Sequence, residues 1–138
     1  MDALRRHGGL TISLVAVKDG RIVGHIAFSP VTVTSDTAPI DAIGLAPMAV
    51  LPEYQRQGIG SQLVEAGLHA CRDTPYGVVV VLGHAQYYPR FGFTPAKQHG
   101  IVWEHEVPKE VFMVKEIKAG ALARTQGVVQ YRPEFAAV

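Results

Sequence analysis

Leu45-Ala46-Pro47-Met48-Ala49-Val50-Leu51-Pro52-Glu53-Tyr54-Gln55-Arg56-Gln57-Gly58-Ile59-Gly60 is the stretch on which the reading of this chain turns. An apolar, strand-like run meets a proline-marked turn and a Gln-Arg-Gln-Gly-Ile-Gly segment, and from there a helical pattern begins. A helix that starts straight from such a turn leaves its first backbone N–H groups without carbonyl partners, all pointing one way. The helix dipole adds partial positive charge at the same place, and the two together make an anion site. Gly58 and Gly60 let the main chain approach a bulky phosphate with no Cβ in the way. The local chemistry is that of a pyrophosphate cradle.

The flanking segments place this turn in an alternating order of elements. From Gly58 onward, Gln62, Glu65, His69 and Arg72 form a polar stripe and Ile59, Leu63, Ala66 and Ala70 an apolar one. That helix is predicted to stop near Asp73-Thr74-Pro75, where proline disfavours continuation. Val78-Val79-Val80-Val81-Leu82 is a β-branched run without alternation, which predicts a central strand covered on both faces. Upstream, residues 11–17 and 21–33 are β-rich and joined by Lys18-Asp19-Gly20, a hairpin signal. In the second run Ile22, Gly24, Ile26 and Phe28 fall on one face, and Val23, His25 and Ala27 on the other. Residues 35–41 are polar, contain Pro39 and predict a surface loop, and residues 43–50 return to strand. Pro47 gives that strand no ladder hydrogen bond, so it belongs at an edge, a bulge or a break in pairing. Further on, residues 101–103, 111–117 and 128–131 predict strands and 119–124 a short helix; residues 1–9 resemble a helix tail ending at Gly8-Gly9.

Composition narrows the function classes. A chain of 138 residues fits one domain with a real core. Thirteen Lys and Arg against twelve Asp and Glu, with no basic run longer than Arg5-Arg6, give no electrostatic case for nucleic acid or an anionic membrane. No apolar stretch reaches membrane-spanning length, and the N-terminus lacks the apolar core of a signal peptide. The expectation is therefore a cytoplasmic protein. The single Cys71 excludes an internal disulfide and suits a small core residue.

Two familiar phosphate loops do not fit. A P-loop ends in Gly-Lys-Ser/Thr, whereas Gly60 is followed by Ser61 with no lysine. The dinucleotide fingerprint requires a third glycine where Leu63 stands. The segment resembles instead the acetyl-CoA signature of the GNAT (GCN5-related) N-acetyltransferases. There, Gln or Arg is followed by two residues, Gly, one residue, and Gly or Ala; Gln55, Gly58 and Gly60 match it. A second motif, Gly83-His84-Ala85-Gln86-Tyr87-Tyr88-Pro89-Arg90-Phe91-Gly92-Phe93, resembles the GNAT ending in which a short helix carries a tyrosine four residues before Gly-Phe. Here that tyrosine is Tyr88, and the distance between the two motifs is also similar to the family's. The wording Tyr-Tyr-Pro-Arg-Phe-Gly-Phe and the strand end Phe28-Ser29-Pro30-Val31 resemble one branch of bacterial N-acetyltransferases within it.

The resemblance implies an α/β (α+β) class protein with the GNAT-like acyl-CoA N-acyltransferase fold: a mixed central sheet, splayed at the cofactor site and flanked by helices. Residues 1–138 would form one such domain, lacking most of the strand and helices with which the family opens. Either the start lies upstream of Met1 or this is a shortened member, and an unpaired sheet edge would favour a homodimer. The implied cofactor is acetyl-CoA, with CoA as product and no metal, its pantetheine arm lying in the gap beside the strand that carries Pro47. Met48, Ala49, Val50, Gln55, Arg56, Gln57, Gly58, Ile59, Gly60 and Ser61 are the cofactor-binding positions it points to. The implied reaction is direct attack of a primary amine, of a small molecule or peptide, on the thioester. A backbone N–H at residues 48–50 would stabilise the charge that develops on the thioester oxygen. Tyr88 is the candidate general acid: a tyrosine of pKa near 10 can protonate a thiolate whose thiol has a pKa of about 8.5. Its other reading is a packed aromatic that orders the cofactor. His84 is the first candidate base, since imidazole titrates near neutrality, ahead of Glu53, Asp41 and His25. Arg56 and Arg90 point to the pyrophosphate or to solvent. Two other readings stay open: a non-catalytic acyl-CoA-binding or sensor protein, and a different α/β protein with a chance glycine turn. The acceptor is not legible at this level.

Overall fold

The computed structural model describes residues 12–35, 39–83, 85–104, 107–108 and 110–131. Asp19 and Gly20 both take positive φ, 55° and 73°. A two-residue turn of this kind has the twist its flanking strands need. It joins β1 (Ile12–Lys18) to the long β2 (Arg21–Thr34). β2 pairs antiparallel with β1 along one edge and with β3 (Ile40–Val50) along the other. Helix α1 (Ile59–Cys71) then carries the chain over to β4 (Val78–Leu82), which lies parallel to β3. This crossover is the unit a parallel pair requires.

The remaining strands complete an eight-stranded mixed sheet. β5 (Thr94–Pro95) and β7 (Phe112–Glu116) extend it antiparallel beyond β4. On the far side β8 (Gly127–Tyr131) pairs with the end of β2, and β6 (Ile101–Trp103) runs parallel to β8. The short α2 (Ala121–Arg124) precedes β8. The valine run of β4 serves both faces: Val79 and Val81 join the cluster under α1, while Val78 and Val80 join a second cluster with Val31, Phe112 and Val114. That division explains why the run shows no alternation. Among the described residues no helix is long and apolar enough to cross a membrane.

Several expectations shift in detail. β3 starts at Ile40, so the expected loop loses its last two residues to pairing with Val33 and Thr32. β5 and the 3-10 turn Ala96–His99 were not expected; two residues of strand and four of turn are too short to give a period. The polar stripe of α1 is exposed as expected, but the buried face is Leu63, Val64, Gly67, Leu68 and Cys71, and Ala66 is exposed. The Phe28 ring sets this rotation: it fills the space where a Cβ on Gly67 would sit. Residues 1–9, where a helix tail is expected, lie outside the described residues.

One irregularity shapes the site. Ile26 pairs with Met48 and Phe28 with Leu45, so Ala27 alone faces two residues, Ala46 and Pro47. This is a β-bulge at the expected place. On the other edge of β3, pairing to β4 covers Ile43 to Leu45 and, among the described residues, goes no further. Past the bulge the two parallel strands separate, and residues 46–50 of β3 border a gap.

Candidate active site

The turn after β3 is fastened by its own side chains. The Leu51 N–H donates to the Val23 carbonyl at 2.8 Å, and the Gln55 amide donates to the Val50 carbonyl at 3.0 Å. Lys18 Nζ donates to Gln57 Oε1 at 2.7 Å, and the Gln57 amide reaches the Glu53 carbonyl at 3.4 Å. These bonds hold Arg56 at φ 65° and Gly58 at φ 84°. A left-handed conformation costs a residue with a side chain about 1–2 kcal/mol, a cost borne at Arg56 and avoided at Gly58. In α1 the Gln62 N–H meets the Gly58 carbonyl at 3.0 Å. The N–H groups of Ile59, Gly60 and Ser61 precede it and have no carbonyl one turn back. Nothing lies within 4 Å of the point a Cβ on Gly58 would occupy, so these donors open onto free space.

That space is part of a cavity of about 610 Å³. Met48, Ala49 and Val50 form one wall; Gln55, Arg56, Gly58, Gly60 and Ser61 form the floor; Tyr87 and Arg90 form the third side. Of the ten cofactor-binding positions read from the sequence, Gln57 and Ile59 do not line it. Gln57 turns to Lys18, and Ile59 packs against the core beside Gly24. Gln55 lines the cavity, but its amide is engaged with the Val50 carbonyl and serves as a clamp on the turn. Two guanidinium groups, the unpaired N–H groups and the helix dipole give the site a positive character suited to an anion.

The two adjacent tyrosines part company. Tyr88 opens the 3-10 turn Tyr88–Phe91; its ring is 6% exposed and packs edge-on against Tyr87 and Phe93 at 5.1 and 5.7 Å. Among the described residues no hydrogen bond holds its hydroxyl, and burial, then the neighbouring Tyr87, push its pKa up. Tyr88 is not among the residues lining the cavity; Tyr87 is. The Tyr87 hydroxyl lies 3.3 Å from Ser61 Oγ and 3.2 Å from the point a Cβ on Gly60 would occupy, and the Arg90 guanidinium sits 4.9 Å over its ring. Spacing to Gly92-Phe93 selects Tyr88 and passes over Tyr87. The available signal was the turn itself: neighbours in a tight turn point in different directions, so one ring of a Tyr-Tyr pair goes to the core and the other outward.

The candidate bases scatter. His25 stands opposite Ala49 on the next strand, and directly opposed residues share a sheet face. Its Nε2 is 3.3 Å from Ser13 Oγ, and burial lowers its pKa, which keeps the ring neutral at pH 7. Glu53 is exposed and faces Arg21 at 3.9 Å. Asp41 lines a separate hollow of about 350 Å³ with Lys118 and Arg124. His84 lies outside the described residues. Among the described residues no group of three or more His, Cys, Asp or Glu side chains comes together to hold a metal ion.

Comparison with known proteins agrees with this geometry. Residues 10–95 match the Acetyltransferase (GNAT) domain family. The chain is 38% identical over 133 residues to the uncharacterized N-acetyltransferase YhbS of Escherichia coli K12, covering 96% of this chain and 78% of that one. The crystal structure of E. coli YhbS in complex with CoA superposes with a TM-score of 0.87 at 37% identity, over 98% of this chain and 74% of that chain. A GNAT family acetyltransferase from Brucella melitensis in complex with acetyl-CoA gives a TM-score of 0.75 at 37% identity, over 97% and 74% of the two chains.

Proposed function

This chain belongs to the GNAT family and is an N-acetyltransferase, and from that premise we propose how its residues divide the work. The acetyl donor is acetyl-CoA, and the acceptor is a primary amine of a small molecule or peptide that attacks the thioester directly. The observation that carries this reading is the single cavity bounded by the bulged end of β3, the start of α1 and the Tyr87–Arg90 wall. The N–H groups of Ile59, Gly60 and Ser61, with Arg56 beside them, would hold the pyrophosphate, and the space in front of Gly58 is open to receive it. The exposed main chain of residues 48–50 would run beside the pantetheine arm.

Bound acetyl-CoA supplies the activated acetyl group; the chain supplies position, charge and protons. A backbone N–H at residues 48–50, fixed by the sheet, stabilises charge on the carbonyl oxygen without reorganising. Tyr88 is the proposed proton donor to the departing sulfur, and its hydroxyl is protonated at neutral pH. Burial raises its pKa and so weakens it as an acid, and since Tyr88 does not line the cavity it would act through a bridging water. Tyr87 and Arg90 belong to the phosphate side of the cavity. His25, neutral and on the face of Ala49, is the described side chain best placed to take a proton from the amine, directly or through water. We place the protein in the cytoplasm, with a second copy pairing along the outer edge of β1, which among the described residues pairs with β2 alone.

Titration calorimetry with acetyl-CoA and with CoA, followed by thiol-release assays over a panel of primary amines, tests the proposal. Micromolar binding and amine-dependent release of CoA are expected. A folded sample that binds neither nucleotide overturns it.

A further inference from the structure

A second hollow, of about 340 Å³, adjoins the cavity through Arg90, which lines both. Its charged rim is unusual in origin. Arg72 and His69 come from the end of α1, Arg90 from the 3-10 turn Tyr88–Phe91, and Lys115 from β7, against one carboxylate, Glu65. Among the described residues none of Arg72, Arg90 and Lys115 is held in an ion pair. Arg72 and His69 are favoured where they stand by the C-terminal end of the helix dipole. Arg90 is held by its contact over the Tyr87 ring, whereas Lys115 has no comparable partner among the described residues. Cations brought to one hollow from three elements give it a positive potential that favours an anion. Leu68 and Phe91 supply an apolar floor beside the cations.

We propose that this hollow takes the 3′-phosphate of coenzyme A, an inference that rests on the acetyl-CoA reading of the adjoining cavity. The chemistry fits in three respects. A phosphate monoester is a compact, nearly dianionic group that matches an excess of permanent cations. In the ligand it stands one ribose away from the pyrophosphate, and Arg90 spans the corresponding two cavities. The floor of Leu68 and Phe91 offers the attached adenine an apolar surface and an aromatic partner. The site would thus recognise both anionic ends of the nucleotide, the pyrophosphate by main chain and the monoester by side chains.

The test compares CoA, 3′-dephospho-CoA and inorganic phosphate by titration calorimetry on the full chain at fixed ionic strength. Wild type is expected to bind CoA at least tenfold more tightly than 3′-dephospho-CoA. The double variant Arg72→Gln/Lys115→Gln should lose that preference while its affinity for 3′-dephospho-CoA stays within twofold. Equal wild-type affinities for the two nucleotides overturn the assignment and leave the acetyl-CoA cavity standing. If they are equal and inorganic phosphate still binds in a manner that the double variant abolishes, the hollow serves a free anion and the assignment also fails. Binding of neither nucleotide removes this inference together with the reading on which it rests.

Discussion

Replacing Gly58 by glutamate tests the phosphate cradle in two separable ways. Gly58 sits at φ 84°, with nothing within 4 Å of its would-be Cβ. Any ordinary side chain there therefore meets no steric clash but takes on left-handed strain of about 1–2 kcal/mol. Against a typical domain stability of about 5–15 kcal/mol, this leaves the variant folded, with a melting temperature lower by roughly 2–10 °C. The effect on ligand is larger. A carboxylate held about 4 Å from a phosphate oxygen, at the effective dielectric of a protein surface, repels it by about 4 kcal/mol. At about 1.4 kcal/mol per tenfold, the dissociation constant for CoA rises by up to about three orders of magnitude. Gly58→Asn is the control, since asparagine tolerates the left-handed region and adds no charge. We expect Gly58→Asn to melt close to wild type and to lose far less affinity. The assay is a thermal melt for each variant beside CoA titration near 0.15 M salt, where screening acts over about 8 Å. A folded Gly58→Glu protein with unchanged CoA affinity would refute the reasoning, because a charge in the cradle must be felt by a phosphate in it.

The remaining predictions concern the core and the two tyrosines. Gly67→Ala should destabilise despite the better helix former, because its Cβ would overlap the buried Phe28 ring; overpacking costs typically 1–3 kcal/mol against about 1 kcal/mol gained in propensity. A raised melting temperature would show that Phe28 can move aside. Tyr88→Phe should lower kcat at least tenfold with CoA affinity within a few-fold, whereas Tyr87→Phe, which removes the hydroxyl at Ser61 and Gly60, should weaken CoA binding with a smaller change in kcat; the reverse pattern exchanges their roles. Burial pushes the Cys71 thiol from 9.0 up to about 12. Below pH 9 both folded and unfolded chains keep that proton, and as pH rises from 9 towards 12 only the unfolded chain loses it. Stability should then fall over that window by about 4 kcal/mol in all, and by much less in Cys71→Ala; the same loss in both proteins would assign the alkaline transition to other groups. For the same reason native Cys71 should not react with a thiol reagent at pH 8, and rapid labelling of the folded enzyme would contradict its burial.

The sequence showed most clearly what depends on main-chain geometry. Asp19-Gly20 could hardly make anything but a tight hairpin, and Gly58 with Gly60 after an apolar run announced a helix start open to anions. Pro47 marked the bulge for the same reason: a residue without an N–H cannot stand in a regular ladder. What depended on packing between distant segments was less visible. The rotation of α1 is set by Phe28, nearly forty residues before Gly67, and no helical period contains that information. Tyr87 and Tyr88 are chemically identical neighbours, and only the core formed with Phe93 decides which ring is buried. His25 owes its place opposite Ala49 to the pairing of β2 with β3, a register fixed by strands that are separate in the chain. Lys115 reaches its hollow from β7 with no local signature at all.

The bulge in β3 has a consequence for how this enzyme responds to mutation. Residues 48–50 offer the cavity a strip of main chain, and Ala49, although exposed at its centre, has a side chain that already ends at Cβ. Alanine scanning is therefore blind to this wall: the groups that matter stay in place whatever methyls are trimmed. The informative changes there delete the amide itself, by proline or by an ester in the backbone. Drift at these positions can be wide without loss of the wall, and an inhibitor that hydrogen-bonds only to the strip would be hard for point mutation to evade.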